Sequence, residues 1–298
     1  MKKKIGFVLL ITLAVIAGCK KKDVQPPATI GPRPITASSS KYVSRIIEYR
    51  PAPGQFINES IGNATAALQL IGAAGNMITL GGYGGYVIVT FDHSIVNNPG
   101  NDLAVYGNPL IGDEAEWSEP GIVEVMQDKN NNGLPDDEWY ELYGSEHDKP
   151  ETIKGYRIIY YNPHGALDVP WKDNQGHTGV VKINTYHNHN YYPLFVANQD
   201  SLVFEGTLLK STFLDGPIAV NLPFTSGYSD NGSIDVEEQS APRYNSLDIT
   251  SARDRNGNAV TLDYIDFVRI YTGQNHPGND QTGEISTEVL GIRDLNMQ

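Results

Sequence analysis

The 298-residue chain has one cysteine, Cys19. No intramolecular disulfide can form, so stability must come from the core and from any bound metal, although exported proteins often use disulfides. No apolar run reaches the length of about 20 residues that a permanent spanning helix needs. Sustained helical periodicity is missing as well. The chain has no Gly-x-Ser-x-Gly elbow, no His-Glu-x-x-His and no thiol nucleophile, which removes the most recognisable hydrolase classes. Basic residues are few: leaving out Lys2, Lys3 and Lys4, 19 stand against 35 acidic ones, a net charge of −16. That balance argues against nucleic acid or an anionic membrane surface as the main partner.

What is present begins with an export signal. Met1-Lys2-Lys3-Lys4 is basic, Ile5 to Ile16 is almost wholly apolar, and Ala17-Gly18-Cys19 closes the segment. This charged, apolar, small-residue order is that of a secretory signal. Ile16-Ala17-Gly18-Cys19 fits the lipobox of lipoprotein processing, so residues 1–18 are expected to be cleaved and Cys19 to become the lipidated N-terminus. Residues 19–40, rich in Pro, Ser and Lys, read as a flexible tether. Residues 41–298 then form a single domain.

The body reads as all-β. Strand candidates are 42–49, 86–91, 122–126, 156–161, 201–205 and 265–271: short, β-branched or aromatic, and bounded by Gly, Asn, Asp and Pro. The stretch 58–71 is the best place for a short helix. Many short strands with polar turns favour a jelly-roll-like β-sandwich with long loops.

The most chemically specific segment follows Met126. Asp128, Asn130 and Asn132 occupy the first, third and fifth positions of a loop whose sixth residue is Gly133. This is the opening half of an EF-hand type calcium loop. Alternate oxygens on a tight turn point inwards, the carbonyl of Leu134 serves the seventh position, and Asp136, Asp137 or Glu138 completes the charge. The twelfth position is Trp139 instead of Glu, and the flanks read as strands, so the expectation is an isolated structural Ca2+ site. An Asn/Gly-rich hairpin turn is the competing reading. Asp254 to Asn258 reads as a plain turn.

His187 and His189 would face one side if they lay on a strand and could begin a metal site, but a polar loop explains them as well. Gly81 to Tyr86 lacks the Lys-Ser/Thr of a phosphate loop and precedes a strand. Tyr83, Trp117, Trp171, Tyr191, Tyr192 and Tyr228 lie in loop-like or Gly-rich stretches, where flat aromatics suit a sugar face or a planar ligand. Glycosidase carboxylates cannot be read from spacing, since they meet only in the fold. No catalytic set emerges, and a non-enzymatic role is expected.

Several stretches resemble one family. They are Ile46 to Glu59, Gly81 to His93, Asn101 to Asn108, Ser118 to Met126 leading into the acidic loop and Asp136 to Leu142, and Leu262 to Gly273. Together they resemble the exported lipoproteins of Bacteroidota known simply as cell surface proteins. The resemblance covers the whole domain and implies a jelly-roll-like sandwich on an outer-membrane lipid anchor. It also implies work beside TonB-dependent transporters, including cobalamin uptake systems, with no defined set of ligand residues. The expected function is therefore capture of a nutrient, corrinoid or glycan, for a transporter. A glycan-active enzyme and an adhesin or structural surface protein are the alternatives. Acidic residues just after the lipidated Cys favour surface export in these bacteria. Lys20-Lys21-Lys22-Asp23 supplies one.

Overall fold

The strands form where apolar residues alternate or run together between turn residues. A computed structural model describes residues 31–112, 116–196, 200–237, 239–240 and 242–297. Cys19 and the signal segment lie outside the described residues. Along the chain the strands are β1 (Arg45–Arg50), β2 (Ile78–Thr79), β3 (Tyr86–Val96), β4 (Leu103–Tyr106), β5 (Gly121–Met126), β6 (Trp139–Leu142), β7 (Ile153–Tyr161), β8 (Val169–Asp173) and β9 (Thr178–Val181). They continue as β10 (Ser201–Leu208), β11 (Phe213–Leu214), β12 (Val220–Asn221), β13 (Val236–Glu237), β14 (Tyr244–Leu247), β15 (Ala252–Arg253), β16 (Tyr264–Thr272), β17 (Glu288–Val289) and β18 (Gly291–Asp294). The expected helix over 58–71 shrinks to one 3-10 segment, Ala66–Leu70. Among the described residues no helix is long and apolar enough to cross a membrane.

The architecture is an all-β sandwich. Its large sheet has the order β1-β3-β16-β5-β6-β15, and a second sheet has the order β13-β14-β4-β18. Side chains alternate across a strand with period two, and the burial follows it. Val87, Val89, Val123, Val125, Tyr140, Leu142, Val268 and Ile270 project from one face of the large sheet. There they pack with Leu103, Val105, Leu247 and Ile292 of the second sheet in the main core.

The other face of the large sheet is covered too. Tyr86, Ile88, Met126, Phe267 and Tyr271 lie there in smaller apolar clusters. The sheet β10-β7-β8-β9 brings a further core of Tyr156, Ile158, Tyr160, Val169 and Phe204. Central strands covered on both sides read as near-continuous apolar runs, which explains the sequences of β3 and β16. The few charged residues at mid-strand are therefore conspicuous.

Part of the expected tether belongs to the domain. Arg33 donates from its guanidinium to the backbone oxygens of Phe91 (2.9 Å) and His93 (3.1 Å) and to Asp266 Oδ1 (3.2 Å), and Ser40 N–H donates to Asp92 (3.0 Å). Residues 33–40 thus gain fixed partners that their composition did not announce.

Candidate functional site

Period-two alternation decides which residues meet. Glu124, Glu141, Arg269, Trp139 and Tyr271 are the neighbours, one residue along, of side chains in the main core. All five therefore project from the outer face. The pairing register sets Arg269 opposite Glu124, and Glu124 opposite Glu141. Over this face pass β7 and β10, and between them lies a cavity of about 650 Å3. Lys154, Glu205 and Thr207 line its far side, and Asp254 and Arg255 of the turn before β16 also line it.

Two glycine effects shape the opening. A Cβ on Gly206 would sit 2.9 Å from the Tyr271 ring, so only glycine lets β10 approach so closely. The β7–β10 register shifts between Gly206 and Leu208, and the irregularity re-aims Thr207. The Thr207 N–H donates to Tyr271 Oη (2.9 Å), and its hydroxyl donates to Glu141 Oε2 (2.6 Å).

The two facing carboxyls are held differently. Glu141 Oε1 contacts Lys154 Nζ at 3.1 Å and His147 Nδ1 at 3.2 Å. Burial pushes the Glu141 carboxyl up, but the His147 hydrogen bond, the Lys154 charge and the Thr207 hydroxyl outweigh it and hold the group below its ordinary value. Glu124 pairs with Arg269. There burial wins over the guanidinium, and the Glu124 carboxyl stands above its ordinary value, with the charge of Glu141 adding to the rise. Arg269 in turn lies over the Trp139 ring, its guanidinium carbon 5.0 Å from the centroid.

Charges around the cavity balance. Glu124, Glu141, Glu205 and Asp254 face Lys154, Arg253, Arg255 and Arg269. A lining of this kind offers donors and acceptors in alternation with no net attraction for a polyanion or a polycation.

The acidic loop folds as the tight turn its spacing predicts. Asp128 accepts from the backbone N–H groups of Asn132 (3.1 Å) and Gly133 (2.8 Å), and Asn132 Oδ1 accepts from Leu134 N–H (2.7 Å). Asn131 and Gly133 take φ of 54° and 73°, the left-handed region that Asn and Gly tolerate. Asp136 receives the side-chain amides of Asn130 and Asn132. Asp128, Asn130, Asn132 and Asp136 thus gather on one turn, their oxygens of the kind a hard cation takes and here engaged in the turn's own hydrogen bonds. Asp137 and Glu138 also make hydrogen bonds here. Asp137 accepts from the Lys129 N–H (2.9 Å), and Glu138 accepts from Tyr140 Oη (2.8 Å). The Leu134 side chain is exposed, so its carbonyl is what it can offer.

A different acidic group is deeper. One carboxyl oxygen each from Glu119, Asp230 and Glu288 lies within 4.8 Å of the others. Asp230 accepts from the N–H groups of Asn108 and Glu288, both at 2.9 Å, and Ser286 N–H donates to Glu119 (2.9 Å). No ion pair reaches this group among the described residues. Burial pushes Glu119 up to about 8, and burial together with the neighbouring carboxyls drives Asp230 and Glu288 well up. The shift favours the protonated forms, which lowers the cost of burying unpaired charge.

The aromatic expectations need correction. Tyr191, Tyr192 and Tyr228 are buried and present no face to solvent, and Tyr83, also buried, stands only behind the wall of a cavity. Tyr83 meets Tyr156 edge-on at 4.9 Å, and Tyr228 Oη accepts from the Glu146 N–H. Each ring carries a large apolar area, and the loops fold over the sandwich so that this area leaves water. Trp117 is half-buried and packs edge-on against Phe213. Trp171 is half-buried against Gly179 and keeps part of its ring accessible. His187 and His189 lie in a loop, not a strand, their rings 6.5 Å apart, with His189 Nε2 bonded to the Ile57 carbonyl. Asp254 to Asn258 is the plain turn expected, with Asp254 Oδ1 accepting from the Asn256 and Asn258 N–H groups.

Glu124, Glu141 and Arg269 were not singled out from the sequence. Each is a charge inside a largely apolar strand, and that was the available signal. No protein-family model and no curated protein sequence matches the chain.

Proposed function

We propose that the protein is an exported, lipid-anchored binding protein that captures a neutral, hydroxyl-rich nutrient of the glycan class in the Glu124–Glu141–Arg269 cleft. The observation that carries this reading is the charge-balanced lining beside half-buried Trp139. Carboxylates and guanidinium groups fixed by one another offer paired acceptors and donors to vicinal hydroxyls. The cavity of about 650 Å3 falls within the usual range for small-ligand sites. Anchoring through Cys19, exposure at the outer membrane and service to a TonB-dependent transporter belong to the same proposal. They rest on the signal pattern and the family resemblance. Structural calcium in the Asp128 loop does too, supported by the oxygen spacing of Asp128, Asn130 and Asn132 on a tight turn that also carries Asp136.

The test is a binding screen of the purified protein against arrayed neutral oligosaccharides, sulfated and uronic-acid glycans, and cyanocobalamin. Binding confined to neutral glycans supports the reading. Preference for polyanions, or for the corrinoid alone, rejects it.

One observation favours a second reading. Glu124 and Glu141 are facing carboxyls whose surroundings push them in opposite directions, the arrangement that separates acid from base roles in carboxylate catalysis. Turnover of a bound oligosaccharide that is lost in both Glu124→Gln and Glu141→Gln would make the cleft an active site.

A further inference from the structure

A second cavity, of about 330 Å3, opens between the β8–β9 hairpin and the chain that precedes β17. It shares no lining residue with the charged cleft. Its walls are mostly apolar or aromatic: Tyr83, Tyr160, Trp171, Val181 and Ile285. Trp171 lies flat here because residue 179 is glycine; a Cβ there would come 2.5 Å from Trp171 Cζ2.

Two polar groups on its lining are not used up by the fold. Glu284 is 3% exposed; its Oε1 accepts from the Gln55 N–H (2.8 Å), while its Oε2 is buried with no hydrogen-bond partner among the described residues. A carboxyl oxygen left so is expensive unless something else fills the place. His276 accepts the Gly278 N–H at Nδ1 (3.0 Å), so the neutral ring carries its proton on Nε2. The imidazole stacks on Phe213 at 4.5 Å, which fixes its plane.

We infer that this cavity is a ligand site for a small, uncharged, planar aromatic or heteroaromatic molecule, its ring against Trp171 and a hydrogen-bond acceptor presented to the unpartnered oxygen of Glu284. Burial supports the donor role, since it pushes the Glu284 carboxyl up to about 8 and keeps its proton on at neutral pH. It likewise favours neutral His276. Both polar groups are then donors, which selects for acceptors on the ligand. Lys182 lines the cavity from an exposed position, where it is 4.0 Å from Asp280, and its charge disfavours a cationic guest.

The full-length protein is titrated by calorimetry and ligand-observed NMR with nicotinamide and adenine, and with benzylammonium as the cationic contrast. The uncharged probes are expected to bind at millimolar concentration or below. Glu284→Gln, which keeps a donor, should retain affinity. Glu284→Leu should weaken it about tenfold, the worth of one hydrogen bond. Trp171→Leu, at a half-buried site, should weaken it similarly and serves if Glu284→Leu prevents folding. Arg255→Ala in the charged cleft should leave it unchanged, so failure here and failure of the glycan reading are separable. Absence of binding by both uncharged probes, tighter binding of benzylammonium, or indifference to Glu284→Leu and Trp171→Leu would overturn the assignment.

Discussion

Replacing Glu119 with Gln should make the protein more resistant to alkali. Glu119 shares its buried site with Asp230 and Glu288, and its carboxyl is raised from 4.5 to about 8 in the folded protein. Its proton is held by the native state up to about pH 8, while the unfolded chain releases it near 4.5. The stabilising contribution is therefore complete below pH 4.5 and is lost as the pH rises through 8. The slope is about 1.4 kcal/mol per pH unit for one such group. Between pH 6 and 8 that amounts to roughly 2 kcal/mol, a sizeable share of the roughly 5–15 kcal/mol that holds an ordinary domain together. Glutamine keeps an acceptor for the Ser286 N–H and a donor towards Glu288, but has no proton to lose. His93, whose nitrogens bond Asp92 and Asp294, is also raised and loses stability in the same direction, so the wild-type slope is a sum. Urea unfolding at pH 6, 7, 8 and 9, in EDTA to exclude metal effects, gives the slope for both proteins. The Glu119→Gln curve should be flatter by about 1.4 kcal/mol per pH unit between pH 6 and 7, with the difference in slope fading as the pH passes 8. Parallel curves would refute the claim that the folded protein holds the proton of half-buried Glu119.

Further outcomes follow from the same structure. Arg269→Leu leaves Glu124 half-buried and unpaired and should cost about 3–5 kcal/mol in urea unfolding, with much of the loss recovered in the Arg269→Leu, Glu124→Leu double variant. Chelator should lower the melting temperature and calcium restore it, and Asp128→Ala should abolish that response; an unchanged melt in both tests rejects calcium in the loop. Gly81→Ala should destabilise by more than about 1 kcal/mol, because Gly81 has φ +70° and an added Cβ would sit 2.1 Å from the Ala52 carbonyl oxygen. A thermal melt within a degree or so of wild type would contradict that packing.

The strands of the sandwich were legible because their apolar residues cannot be placed otherwise. The runs 86–91 and 265–271 read as strands and are the centre of the large sheet. β3 extends beyond the expected end, to Val96, because Ile95 and Val96 continue the antiparallel ladder with Ile265 and Tyr264 of β16. The 128–133 turn was legible because its oxygen spacing and glycine are local. The bonds of Asp137 to Lys129 N–H and of Glu138 to Tyr140 Oη were not legible, because they depend on how the loop returns to the sheet. The aromatic surface expected from Tyr191, Tyr192 and Tyr228 failed for a general reason. A loop-like sequence does not make its large rings accessible when a third sheet stands ready to bury them. The Glu124–Glu141–Arg269 constellation needed the register of β5, β6 and β16, which no single segment encodes. The buried Glu119, Asp230 and Glu288 are distant in sequence and gave no warning of their meeting.

The central claim is that the charge-balanced cleft binds a neutral glycan. Calorimetric titration with a neutral trisaccharide series, set beside Trp139→Ala and Glu141→Gln, tests it most directly. Saturable one-site binding to wild type, lost in both variants while their melting transitions persist, is the result expected. Heat of binding that is absent throughout the series, or undiminished in both variants, would contradict it.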